Sequence, residues 1–284
     1  MIDHDASSSF KKCEVSGTIW ALSVATAAVE TRRRRESRAM TLVIAHRGAS
    51  AYAPENTLRA FALAQQQGAD MCELDVQLTA DGVPVVFHDD TTIRWDGNER
   101  LISSCTLADL QRLSIGGERV ATLTEVAEFA RATGMRLNIE LKGPGLGAET
   151  AAVIRAFGID ELVLISSFWE SALLEIGTIA PHLPRAYLMG VHTLRPGVRF
   201  RESWPVLALR KAGASVWHPA YQIPLLFRVI PVVRRAGYRV NVWTVNSVEM
   251  MRRLIAIGID GIITDTPDVL RRMLADTPIG DHAV

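Results

Sequence analysis

The chain has 284 residues, 48% of them hydrophobic, which is enough for one large core or two modest ones. Its 31 basic and 31 acidic residues balance, so no global field draws it to nucleic acid or to an anionic membrane surface. Three scattered cysteines, Cys13, Cys72 and Cys105, form no CxxC pair and make neither a disulfide framework nor a zinc site; they read as reduced or buried thiols.

Residues 1–39 differ in character from the rest. They hold Ser7-Ser8-Ser9, an apolar stretch from Ile19 to Val29, and the run Arg32-Arg33-Arg34-Arg35. The apolar stretch is shorter than the roughly 20 residues a membrane span requires, so no stable membrane insertion is expected. Lys11-Lys12 ahead of it and the small-x-small Ala25-Thr26-Ala27 give one reading, a weak export signal. The four following arginines and Glu14 favour the other: a disordered extension, or an over-extended start with Met40 as the natural first residue of a cytoplasmic protein.

From Thr41 onward, short β-rich runs alternate with helical stretches. The runs are 41–45, 71–77, 83–87, 136–141, 161–165, 185–189, 215–217, 238–244 and 261–264. Several are continuous apolar stretches, as strands buried on both faces should be. Helices are expected at 56–67, after Pro54 and before Gly68, and at 123–132, 147–157, 169–180, 224–236, 247–257 and 267–274. Repeated strand–helix units imply a parallel sheet with right-handed crossovers. About eight units over residues 40–284 fit a single α/β domain, a (β/α)8 TIM barrel. The segment 89–121, rich in glycine and poor in apolar periodicity, reads as a short insertion after the second strand, looped over the barrel mouth.

Five clusters carry chemistry. His46-Arg47-Gly48 follows the first strand, where a barrel places its active site. His46 can shuttle a proton near neutral pH, and Arg47 offers a planar fork for phosphate oxygens. Glu55, in Pro54-Glu55-Asn56-Thr57, sits beside both. In Cys72-Glu73-Leu74-Asp75 alternation puts Glu73 and Asp75 on one face. Two buried carboxylates at that spacing repel unless a cation lies between them, and oxygen-only donors favour Mg2+ or Ca2+. His88 ends a second apolar run and pairs with His46 as an acid and a base at neighbouring strand ends. In Asn138-Ile139-Glu140-Leu141-Lys142 alternation aims Glu140 and Lys142 alike, as a third metal carboxylate and a positive charge for a phosphoryl oxygen. Ser166-Ser167-Phe168 lies near a strand end and is placed to line the pocket, while His192 and His218 read as structural and Asp265 as a helix cap or loop-structuring acid.

The motifs His46-Arg47-Gly48, Pro54 to Thr57, Glu73-Leu74-Asp75, His88-Asp89-Asp90, Asn138 to Lys142, Val242 to Asn246 and Asp260 to Asp268, in this order and spacing, resemble those of glycerophosphodiester phosphodiesterases. The resemblance runs from about residue 42 to 274. It implies a TIM barrel with a short inserted segment, one divalent cation bound by Glu73, Asp75 and Glu140, and acid–base work by His46 and His88. It further implies that Arg47, Glu55 and Lys142 contact the phosphate or metal region and that Trp243 packs against glycerol. The implied reaction is hydrolysis of a small glycerophosphodiester to glycerol 3-phosphate and an alcohol. A lysophospholipase D is the alternative if the mouth is apolar, with Phe200–Trp204 and Ile223–Val233 as the segments to watch. A non-catalytic barrel binding phosphate compounds is the third reading.

Overall fold

The computed structural model describes residues 41–190 and 204–276. The readings of residues 1–39, of His192 and of Phe200–Ser203 lie outside them. Eight parallel strands form the barrel: β1 (Leu42–Ala45), β2 (Met71–Leu78), β5 (Arg136–Leu141), β6 (Val163–Ser167), β7 (Arg185–Met189), β8 (Val216–Pro219), β9 (Arg239–Val242) and β10 (Gly261–Thr264). Each pairs with the next in that order, and β1 pairs with both β2 and β10, so the sheet closes on itself and leaves no edge.

Helices α1 (Leu58–Gln66), α4 (Leu123–Thr133), α5 (Gly147–Phe157), α6 (Glu170–Ile179), α7 (Pro205–Ala212), α8 (Leu226–Arg235), α9 (Val248–Ala256) and α10 (Pro267–Asp276) surround it. Local chemistry sets several of their ends. Thr57 Oγ1 accepts from the Ala60 amide at the start of α1. Thr122 and Glu125 close a capping box on α4, which Gly134 ends in the left-handed region.

Two apolar shells lie between sheet and helices. One joins Leu74, Leu137, Ile139 and Ile165 to α1, α4, α5 and α6. The other joins Tyr187, Trp217, Val240 and Ile262 to α6 through α10. The barrel interior has its own small cluster of Ile44, Met71, Leu164, Ala186, Val216 and Ile263. Because side chains alternate along each strand, these residues fix which positions face inward. Counting up by two from Met71 and from Leu164 reaches Glu73, Asp75 and Ser166, so the interior turns polar toward the C-terminal mouth.

The run at 83–87 is not a barrel strand. Its core, β3 (Pro84–Val86), turns back antiparallel on β2 and pairs with β4 (Ala121–Thr122). The chain therefore leaves the barrel directly after β2, earlier than the glycine-rich 89–121 segment. Continuous apolar character did not separate the two cases: Val85 and Phe87 are buried in a separate core with Ile102, Leu110, Leu113, Ile115 and Val120. Helices α2 (Ile93–Asp96) and α3 (Leu107–Leu110) complete this excursion.

Candidate active site

The β2–β5 register builds the acidic centre. Asp75 lies opposite Glu140, and Glu73 opposite Asn138. A same-face pair on one strand and a lateral neighbour on the next bring one carboxylate oxygen from each of Glu73, Asp75 and Glu140 within 4.8 Å of one another, all three buried. Burial, reinforced by the charges of Asp75 and Glu140, lifts Glu73 well above the usual carboxylate range. Burial likewise lifts Glu140 to about 7, with Lys142 opposing and Asp75 adding to the rise. Asp75 shifts the other way: burial works against it, but Lys142 and Arg47 hold its carboxyl below the usual range. Oxygen-only donors, close together and under-neutralised, suit a hard divalent cation.

Two cations flank this centre. Lys142 Nζ lies 3.2 Å from Asp75 Oδ1 and 3.3 Å from Glu140 Oε1. The expected Glu140–Lys142 proximity is present, but the ammonium is shared with Asp75. Arg47 donates its backbone N–H to Glu73 Oε2 at 2.8 Å, donates from Nη1 to Glu55 Oε1 at 3.0 Å, and places Nε 3.4 Å from Asp75 Oδ2. It reaches all three because its backbone is left-handed, φ 55°, followed by Gly48 at φ 81°. Such a conformation costs a non-glycine residue roughly 1–2 kcal/mol. Asn56, expected within the helix, stands outside it at φ 58°. Its amide clamps Asp75: Nδ2 donates to Oδ2 at 2.9 Å, and Oδ1 accepts from the Asp75 amide at 3.3 Å. Sequence reasoning missed this role; the signal was an Asn just ahead of a Thr cap, a residue type that tolerates the left-handed region.

The two histidines share one design. His46 Nδ1 lies 2.6 Å from Asp265 Oδ1, and His88 Nδ1 lies 2.8 Å from Asp89 Oδ1. A carboxylate only accepts, so Nδ1 carries the proton in each ring and Nε2 is left for other chemistry. Asp265 is thus not merely a cap or loop acid. It also accepts from Ser50 Oγ at 3.0 Å and from Asn246 Nδ2 at 2.5 Å, and its backbone N–H donates to Asn246 Oδ1. Burial opposes ionisation there, but the His46 contact holds its carboxyl below the usual range. His88 stands just beyond β3, on the excursion and not at a barrel strand end. Burial lowers its imidazole, with Lys142 and Arg47 helping and Asp75 and Asp89 opposing.

Glu55 accepts from Arg47 and from Arg94 of α2. Across the mouth, Trp243 Nε1 donates to the His218 carbonyl at 2.7 Å, and the edge of Phe168 meets its ring at 5.4 Å between centroids. Gly190 leaves room there, since a Cβ on it would lie 3.3 Å from the Trp243 ring. Ser166 is buried in the interior, and Ser167 caps the next turn by donating to Leu141 O and accepting from the Trp169 amide. His218 is fully buried, its Nε2 accepting from Asn241 Nδ2, and burial pushes its imidazole down to about 3. It is a neutral structural histidine, as the sequence suggested.

No helix among the described residues is long and apolar enough to cross a membrane. A model of the glycerophosphoryl diester phosphodiesterase family matches residues 46–269. A glycerophosphodiester phosphodiesterase of Caldanaerobacter subterraneus subsp. tengcongensis is 38% identical over 247 residues, covering 81% of this chain and 96% of its own. A phosphodiesterase of Oleispira antarctica, solved in complex with the product sn-glycerol-3-phosphate, superposes with a TM-score of 0.70 at 31% identity, over 85% of this chain and 99% of that one. A glycerophosphodiester phosphodiesterase of Agrobacterium tumefaciens gives 0.70 at 29% identity, over 82% and 100%. With a closed barrel, this set of motifs and relatives matched nearly end to end, the chain belongs to the glycerophosphoryl diester phosphodiesterase family and is a phosphoric diester hydrolase.

Proposed function

We propose that this chain hydrolyses small glycerophosphodiesters to glycerol 3-phosphate and an alcohol, with His46 and His88 as the acid–base pair. The observations that carry the reading are two imidazoles, each held through Nδ1 by a carboxylate, one on the residue before Arg47, whose backbone N–H binds Glu73, and one in the field of Asp75, with a buried oxygen triad flanked by Arg47 and Lys142. The solved Oleispira relative with bound sn-glycerol-3-phosphate supports the substrate class.

Glu73, Asp75 and Glu140 would hold one divalent cation, Mg2+ or Ca2+, which when bound neutralises phosphate charge and stabilises the further charge of the transition state. Arg47 and Lys142 add preorganised positive field toward the phosphoryl oxygens. Glu55 sets the angle of the Arg47 fork. One histidine takes the proton of the attacking hydroxyl at its Nε2; where the attacker is the substrate's own glycerol hydroxyl, the first product is a cyclic phosphate, which water opens to glycerol 3-phosphate in a second step. The other histidine, as the imidazolium with both ring nitrogens protonated, gives its Nε2 proton to the departing alcohol oxygen and is left neutral. Each transfer is typically worth about 10²–10⁴ in rate. Asp265 and Asp89 hold the Nδ1–H of each ring, so that Nε2 is the atom that takes or carries the moving proton. Trp243, fixed by His218 and Phe168, offers a flat apolar wall to the glycerol carbons.

The test is glycerol 3-phosphate release from glycerophosphocholine with Mg2+ or Ca2+, in wild type and in H46A and H88A. Both variants are expected to fold and to lose turnover. Near-normal release by either, or unchanged release by wild type after thorough chelation, overturns the assignment.

A further inference from the structure

Arg94 lies on the excursion, outside every motif that pointed to the site. Its guanidinium nonetheless touches both halves of the machinery. Nη2 donates to Glu55 Oε1, Nη1 donates to Glu55 Oε2 at 3.4 Å, and Nε lies 2.7 Å from Asp89 Oδ2. The same Glu55 Oε1 accepts from Arg47. The other oxygen of Asp89 accepts the hydrogen bond of His88 Nδ1–H. The result is one chain of contacts, His88–Asp89–Arg94–Glu55–Arg47–Asp75, linking the excursion to the loop after β1 and to the acidic centre.

We propose that Arg94 is a positioning residue that holds His88 and Arg47 in register by clamping the carboxylate that orients each of them. This rests on the reading that His88 and Arg47 act on the phosphodiester. Glu55 and Asp89 belong to different segments and carry like charges. Without a cation between them they repel, and each keeps its partner less well aligned. A planar fork meets two carboxylates at once, which a lysine ammonium on a flexible stem does not do with fixed geometry. Arg94 also keeps Glu55 neutralised when Arg47 turns to a phosphate, so that turning leaves no unpaired carboxylate.

The seat of Arg94 is independent of these ion pairs. Its guanidinium stacks 4.4 Å over the ring of Trp95, which meets Phe87 of the excursion core. Helix α2 is pinned by the buried Thr92, whose Oγ1 donates to Asn98 O, and by the Arg100–Asp96 ion pair at 2.6 Å. Removing the Arg94 charge therefore leaves the helix its own supports. The ion pairs are partly solvent-exposed, so single-pair stability effects are small and the consequence falls on alignment.

The experiment compares wild type, R94A, R94K, D89N and R94A/D89N. Misalignment of this kind lowers kcat/KM by up to about 10²-fold. R94A should show that loss with a melting temperature close to wild type, R94K should recover little, and added methylguanidinium should restore R94A. R94A/D89N should lose clearly less than the product of the two single losses, because the Asp89 branch is removed only once while the Glu55 branch remains to be lost. Wild-type kcat/KM in R94A, or losses that multiply fully in the double variant, overturn the proposal. A second readout needs no turnover: in 15N-histidine spectra His88 should carry its proton on Nδ1 in wild type and shift toward Nε2–H in R94A. An unchanged tautomer also overturns the proposal. If wild type hydrolyses no glycerophosphodiester, the functional reading fails, and the tautomer still decides what Arg94 does.

Discussion

Replacing Glu140 by glutamine should stabilise the metal-free protein at alkaline pH and leave it the less stable protein when the proposed Mg2+ or Ca2+ site is filled. The sign follows from the burial of the triad. Glu140 is 8% exposed and its carboxyl is lifted from an ordinary 4.5 to about 7. Between those values the folded state binds more protons than the unfolded chain, so stability falls as pH rises through this window. The full difference is about 2.5 units, on the order of 3 kcal/mol lost by pH 8 relative to pH 4. An amide does not ionise, so E140Q escapes that loss, and it relieves Glu73, whose own rise owes part to the Glu140 charge. The effect of His88, lowered by burial, runs the opposite way but is common to both proteins and cancels in their difference. Urea titrations at pH 5 and pH 8 in chelator should therefore give near-equal stabilities at the lower pH and a more stable E140Q at the higher. Mg2+ or Ca2+ at a thousand times its wild-type dissociation constant stabilises by about 4 kcal/mol. Wild type should gain this and E140Q, with one carboxylate fewer, little of it, reversing the order. If E140Q is the less stable protein at pH 8 in chelator, the carboxylates are not held against their charge and the electrostatic account of the triad is wrong.

Two further outcomes test how the site is held. D265N replaces the charged acceptor of the His46 Nδ1–H by a neutral amide of the same shape, so kcat should fall on the order of 10–100-fold with KM little changed; an unchanged kcat would show that His46 needs no charged partner. G48A adds a methyl 2.6 Å from the Ala60 carbonyl carbon at φ 81°, and overpacking with left-handed strain should cost about 1–3 kcal/mol, read as a lower melting temperature. A wild-type melt for G48A would mean that the loop after β1 does not pack on α1 as described.

Much of the barrel was legible because strands buried on both faces and helices with ordinary caps leave strong local patterns. The triad was legible for a stronger reason: alternation decides which side chains share a face, and Glu73, Asp75 and Glu140 needed only the β2–β5 register to meet. What stayed hidden depended on backbone excursions that periodicity does not encode. Val85 and Phe87 are as buried as any barrel strand, so their apolar run gave no hint that they face a separate core. Asn56 looked like the first turn of a helix, yet its positive φ withdraws it to serve Asp75. Asp265 sits next to Thr266-Pro267, a sequence that reads as a helix start, and its contact with His46 is made across 219 positions of chain. Arg94 lies 39 residues from Glu55 and in a segment without apolar periodicity.

The groups that hold the histidines come from unlike sources, and that difference has a physical consequence. His46 is oriented by Asp265, at the end of a strand hydrogen-bonded directly to β1, so the closed sheet fixes both members of that pair. His88 and Asp89 are neighbours on the excursion, whose own core is separate from the barrel shells. Among the described residues the excursion is registered on the barrel by the short β2–β3 pairing of Val76, Gln77 and Leu78 with Val86, Val85 and Pro84, and by the Phe87 N–H, which donates to Asp75 O at 2.9 Å. Gln77 extends that hold by donating to the carbonyls of Phe87 and Asp89 on either side of His88. The backbone of His88 is therefore tied to β2, two residues from Asp75, whereas its ring depends on Asp89 and, through it, on charges outside the barrel. On the proposed assignment the proton-transfer atoms stand on two supports, the closed sheet and the excursion with its separate core, around one buried acidic centre, and the proposed Arg94 bridge is what would hold their side chains in alignment.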